Sequence, residues 1–204
     1  MKSKTLGRTG IEVSTVGLGA GFVGMAGLEV GPEIVKSAVE AGCTLVDTAP
    51  LYGDSELTIG QAFKQYPQLR DKCTVTTKAG RFKGGTDHSF DGILRSVETS
   101  QERLGIEQFQ IIYIHDAMGV PMKDVMSKDG TVGALRKLQD EGIVRYIGSA
   151  ANDPETNAPY IETGEFDVAV VPDAWSLLNQ TALERILPAA EKHNEAGPGI
   201  EQRA

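Results

Sequence analysis

The chain has 204 residues, 40% of them apolar, with 20 basic against 28 acidic side chains and so a net charge of −8. That length fits one domain with a full core, or a shortened form of a larger one. The acidic balance argues against nucleic acid or an anionic membrane surface as a partner, the ordinary apolar content argues against disorder, and no apolar run is long enough to span a bilayer.

The opening segment, M-K-S-K-T-L-G-R-T-G, has no apolar secretion core. K-T-L-G-R-T-G-I-E-V-S reads as a β-hairpin turning between Gly7 and Gly10. A strand-like run follows at 15–19 and leads into G-L-G-A-G-F-V-G at 17–24. Gly19, Gly21 and Gly24 spell G-x-G-x-x-G, the dinucleotide fingerprint. That motif needs a helix to open at once. Here Gly27, Gly31 and Pro32 interrupt, and a helical pattern begins near Pro32. The glycines therefore suit a close-approach loop better than a Rossmann turn.

The next run, C-T-L-V-D at 43–47, ends on Asp47, and its loop carries Tyr52. Asp54 and Ser55 stand before a helix, where capping is the expected role. A third run, C-T-V-T-T-K at 73–78, ends on Lys78. Cys43 and Cys73 open these two runs and form no C-x-x-C, so buried free thiols in a reducing cytoplasm are expected. His88 comes next and is expected in solvent, as is His193. Over 89–105 the pattern is a helix: Ser89 caps it, Phe90, Ile93, Val97 and Leu104 form one stripe, and Gly105 stops it.

The run I-I-Y-I-H at 111–115 ends on His115. A second helix over 131–142 turns Val132, Leu135 and Leu138 inward and stops at Gly142. Strand-like runs at 143–148 and 167–171 follow, then Trp175, for which rim or core packing is the expected role, and a last helical pattern at 181–193. Strand alternating with helix at this spacing reads as βα units on a parallel sheet. Six such units are legible, against the eight of a closed (β/α)8 barrel. In that architecture the strand C-termini open on one face, so Asp47, Lys78 and His115 would converge there with Tyr52. A carboxylate, ammonium, imidazole and phenol at one spot suit proton exchange with an alcohol or carbonyl. No metal site is expected.

The chain resembles the aldo-keto reductase superfamily. The matching strings are L-G-R-T-G-I-E-V-S-T-V-G-L-G, D-T-A-P-L-Y-G-D-S-E, T-T-K-A-G-R, E-R-L-G, Y-I-H-D, L-Q-D-E-G-I-V-R-Y-I-G and W-S-L-L-N-Q-T-A-L-E-R-I-L-P. K-A-G-R-F and the L-L-N-Q segment are similar to the aldose 1-dehydrogenase branch. The resemblance implies an α/β fold of the (β/α)8 TIM-barrel type, here with about six βα units and an N-terminal hairpin plugging the bottom. It implies a single domain over 1–204 that lacks the last two units, with open sheet edges that invite self-association. It implies an NAD- or NADP-dependent oxidoreductase that converts an aldose of the L-fucose, L-galactose or D-arabinose type to its lactone, or reduces the corresponding carbonyl. Tyr52 would be the acid/base, Lys78 its cationic neighbour, Asp47 the partner of Lys78, and His115 the group that orients the substrate oxygen. A phenol titrates near 10, so it needs such neighbours to act near neutrality. Gly21, Phe22, Asp47, Ser149 and Asn152 would touch the cofactor. With the phosphate-gripping segments of the family absent, weak cofactor affinity is expected. The alternative is a shortened, inactive relative acting through protein contacts.

Overall fold

The computed structural model describes residues 1–151, 153–172 and 174–193. The chain opens as an antiparallel hairpin, β1 (Ser3–Thr5) and β2 (Glu12–Ser14), with Gly10 at φ 70 in its turn. Arg8, in that turn, reaches the far side of the molecule: it pairs with Asp167 at 3.0 Å and donates to the carbonyl of Phe166 at 2.7 Å. The Tyr146 hydroxyl donates to the Thr9 carbonyl at 2.7 Å. The hairpin thus closes one end of the sheet.

Six parallel strands make that sheet. They are β3 (Leu18–Gly19), β4 (Leu45–Asp47) and β5 (Thr74–Ala79), then, past a small antiparallel hairpin of β6 (Arg81–Phe82) and β7 (Gly85–Thr86), β8 (Phe109–His115), β9 (Val144–Ala150) and β10 (Val168–Val170). Their spatial order is β3-β4-β5-β8-β9-β10. Successive side chains of a strand point to opposite faces, and both faces here are buried. On β8, Ile111 and Tyr113 join Val13, Leu45 and Val168 on the inner face, while Ile112 and Ile114 join the larger core under the helices. Both faces of a parallel sheet are normally covered, which is why β8 carries the near-continuous apolar run I-I-Y-I.

The helices are α1 (Gly27–Glu40), α2 (Ser55–Gln65), α3 (Phe90–Leu104), α4 (Met122–Val125), α5 (Thr131–Asp140), α6 (Pro154–Glu162) and α7 (Ile186–His193). The α3 ends are as the sequence suggests: Ser89 accepts from the Gly92 amide, and Gly105 is left-handed at φ 64. Three expectations are corrected. The glycine string coils as a 3-10 helix over Ala20–Ala26, and α1 begins at Gly27, well before Pro32. Gly31 is no interruption; a Cβ there would stand 2.3 Å from Thr58 Cγ2, so it is where α1 and α2 touch. The last helical pattern splits into a 3-10 turn, Thr181–Leu183, and α7, which restarts so that Pro188 falls in a first turn, where proline is tolerated. Among the described residues, no helix is long and apolar enough to cross a membrane.

Candidate active site

Strand parity builds the site. Asp47 shares the face of Leu45, Lys78 registers with Tyr113, and His115 registers with Ala150. Leu45, Tyr113 and Ala150 all belong to the inner cluster. Asp47, Lys78 and His115 therefore project from three adjacent strand ends into one space, and Tyr52 reaches it from the loop after β4. The structure brings these four residues together.

Lys78 is 2% exposed, and Asp47 is fully buried. The Lys78 ammonium donates to Asp47 Oδ2 at 2.5 Å and to the Thr48 carbonyl at 2.9 Å, while Thr76 donates to Asp47 Oδ1 at 2.9 Å. Burial works against the Lys78 charge, but Asp47, then Tyr52, holds its pKa above the ordinary lysine value. The ammonium lies 4.7 Å from the centroid of the half-buried Tyr52 ring. The ring of His115 meets Tyr52 edge-on, with centroids 5.8 Å apart. Burial first, then the charges of Lys78, Arg81 and His88, pushes the His115 pKa down to about 3. This imidazole is neutral near pH 7, and its Nδ1 has no hydrogen-bond partner among the described residues.

The support behind these groups is polar and buried. Ser55 shares a hydrogen bond with Thr48 at 2.8 Å and donates to the Ala20 carbonyl at 2.7 Å, so it pins the Tyr52 loop to the first loop. Its expected capping role is a correction: neither Asp54 nor Ser55 caps α2 through its side chain. Thr77 donates to the buried Glu56 at 2.7 Å, which ties α2 to the strand that carries Lys78.

The pattern of the Aldo/keto reductase family matches residues 29–196. The chain belongs to that family. It is 35% identical over 151 residues to L-galactose dehydrogenase of Arabidopsis thaliana, a match covering 71% of this chain and 47% of that protein. It is 29% identical over 216 residues to D-threo-aldose 1-dehydrogenase of a Pseudomonas species, covering 90% of this chain and 64% of that one. Among solved structures, the holo form of an aldo-keto reductase from Bacillus halodurans superposes with a TM-score of 0.81 at 26% identity, over 96% of this chain and 64% of that chain. The fold is accordingly the α/β fold of a partial (β/α)8 barrel. The chain thus spans about half to two thirds of the length of these aldo-keto reductases.

The expected cofactor-touching residues of this aldo-keto reductase fall on two flanks. Gly21 and Phe22 lie with Met25, Leu51 and Tyr52 around a hollow of about 470 Å³, and Phe22 is 68% exposed there. Ser149 is a correction. It registers with Ile114 and Ala169, whose side chains pack toward the helices, so its hydroxyl faces away from the strand mouth. It is buried there with no hydrogen-bond partner among the described residues. Asn152 lies outside the described residues. A cavity of about 760 Å³ near Thr9, Arg70 and Arg145 sits at the opposite, hairpin end of the sheet.

Sequence reasoning missed two neighbours of His115, His88 and Arg81. His88 is buried rather than solvated, because Gly80 makes room for it: a Cβ there would stand 2.4 Å from the imidazole Nδ1 and Cε1. His193 lies elsewhere, against Gly164 at the hairpin end, and is half-buried with its Nε2 enclosed rather than solvated. Arg81, on the β6–β7 hairpin, forms an ion pair with Asp116. Asp116 has φ 44, the left-handed region, at a cost of about 1–3 kcal/mol. The signal was present: R-F-K-G-G-T carries the Gly-Gly mark of a hairpin.

Proposed function

We propose that the chain carries the proton-transfer site of a nicotinamide-dependent oxidoreductase. It oxidises an aldose of the L-fucose, L-galactose or D-arabinose type at the anomeric carbon to the lactone, or reduces the corresponding carbonyl. The observation that carries this reading is the buried Lys78 ammonium, bonded to Asp47 at 2.5 Å and lying 4.7 Å from the Tyr52 ring centroid.

In this reading Tyr52 takes the proton of the substrate hydroxyl. Lys78 places positive charge where the phenolate forms, and Asp47 keeps Lys78 protonated and in place. His115, neutral, holds the substrate oxygen through one ring nitrogen. The chain's residues fit a nicotinamide ring on one side: the hollow beside Tyr52, with Gly21 and Phe22, would hold it, while the fully buried Asp47 would act through Lys78. NAD or NADP, when bound, supplies the hydride acceptor. Membership in the family supports the redox class, and likeness to two aldose dehydrogenases supports the sugar. The free thiols, Cys43 and Cys73, support a reducing cytoplasm as the compartment.

The test is turnover by the purified chain with NAD and with NADP, using L-galactose, L-fucose and D-arabinose, followed by nicotinamide absorbance. Tyr52→Phe should cut turnover by about 10²–10⁴-fold, the scale of general acid–base catalysis. Wild-type-like turnover in Tyr52→Phe overturns the assignment. Turnover of simple aldehydes without any aldose moves the reading to general carbonyl reduction.

A further inference from the structure

We infer that Arg81 and Asp116 clamp His115. Their ion pair holds the backbone just beyond His115 in the left-handed form and so keeps the imidazole edge-on to Tyr52. This rests on the reading of the Tyr52 site given above.

Four observations carry it. A functional histidine is ordinarily oriented by a hydrogen bond to its second nitrogen, yet His115 Nδ1 has no partner among the described residues. Its orientation must then come from backbone and packing. The backbone is tied at Asp116, whose amide donates to the Ala150 carbonyl at 2.8 Å and so adds the last rung between β8 and β9.

Asp116 is also the one non-glycine among the described residues with positive φ. Glycine would hold that conformation without strain; an aspartate there brings a carboxylate. That carboxylate is buried, on a residue 5% exposed, and it meets the Arg81 guanidinium. A buried carboxylate stripped of its cation is strongly unfavourable, so the pair resists any backbone change that would separate it.

Arg81 stands on firm ground. It follows Lys78 by three residues and sits on the β6–β7 hairpin, at whose base the Asp87 amide donates to the Gly80 carbonyl at 2.8 Å. One stretch of chain therefore presents two cations in succession. Lys78 draws in the end of β4 through Asp47, and Arg81 draws in the end of β8 through Asp116. The His88 ring, wedged against Gly80, fills the space behind. Arg81 is about one third exposed, but the carboxylate it meets is buried, so the pair is no ordinary surface bridge. Arg81 and Asp116 are positioning residues, which act through His115.

The experiment is NMR on the isotope-labelled full chain. The sequence has three histidines, so His115 is assigned against His88→Gln and His193→Gln. The readout is the NOE between the His115 ring protons and the Tyr52 ring, with kcat and KM for aldose oxidation measured beside it. Arg81→Met and Asp116→Asn should both lose the NOE. They should lower kcat toward about 10²-fold, the scale of a small misplacement at a reacting centre, with KM moving less. Arg81→Lys should recover most of both. If Arg81→Met is poorly folded by circular dichroism, Asp116→Asn decides, since it removes charge and leaves shape. An intact NOE in Asp116→Asn, with only a lower melting temperature, overturns the clamp. Absence of aldose turnover in the wild type sinks the proposed function, and the NOE still decides the clamp.

Discussion

The two flanks of the strand mouth differ in how their polar groups are spent. On the β4–β5–β8 flank, Asp47, Thr76, Lys78 and Thr48 bond to one another, and Ser55 and Thr77 tie them to α2 and the first loop. On the β9–β10 flank, β9 closes on apolar Ala150, followed by Ala151, and Ser149 faces the helices. Beyond β10, Leu177 and Leu178 are 92% and 100% exposed. The first flank is preorganised by its own hydrogen bonds. The second, among its described residues, aims no such network at the mouth.

The sharpest way to break this contrast is Lys78→Met. It leaves the Asp47 carboxylate buried without its cation and should destabilise the fold by about 3–5 kcal/mol, with turnover lost. Urea denaturation followed by circular dichroism checks it. A loss below about 1 kcal/mol would mean that water reaches the pair.

Tyr52→Phe separates chemistry from stability on the same flank. The ring keeps its contacts with Lys78 and His115, so unfolding should shift by no more than about 1.5 kcal/mol, the scale of one lost hydrogen bond, while turnover collapses. A matching fall in stability would make the phenol a structural group.

A pH titration of stability tests how dry the first flank is. His115 titrates near 3 in the folded chain, against 6.5 ordinarily. Between those values the unfolded chain binds a proton that the native chain refuses, so stability should fall as pH drops through that window. His88, also lowered by burial, acts in the same sense. Glu56, raised by burial, acts in the opposite sense, because its native form accepts a proton more readily. His115→Gln should flatten the slope, and an unchanged slope would show that the imidazole is solvated.

The smallest expected effect sharpens the contrast most. Ser149→Ala removes a buried hydroxyl that lacks a partner among the described residues, so it should change stability by less than about 1 kcal/mol and leave cofactor titration by nicotinamide fluorescence unaltered. A loss of affinity would put Ser149 at the mouth after all.

The contrast also marks where the sequence was readable. Asp47, Lys78 and His115 each end a short apolar run, and a strand end is a position that local pattern states directly. Ser89 and Gly105 are equally local, and both bound α3 as their types suggest. Ser149 failed because one residue of offset turns a strand side chain to the other face; the alternation of Tyr146, Gly148 and Ala150 against Ile147 and Ser149 held the answer. His88 looked like a solvated residue before a helix cap, and only packing against Gly80 buries it.

By itself the sequence determined the order of βα units, the ends of α3 and the identity of the charged groups at the strand ends, because periodicity and capping act over a few neighbouring residues. The tertiary structure decided which groups meet. The pairing of Arg81 with Asp116, the turning of Ser55 from helix cap to loop anchor, and the neutrality of His115 all depend on residues tens of positions apart. Such contacts follow from strand register and burial, which lower the local dielectric and set each charge against its neighbours.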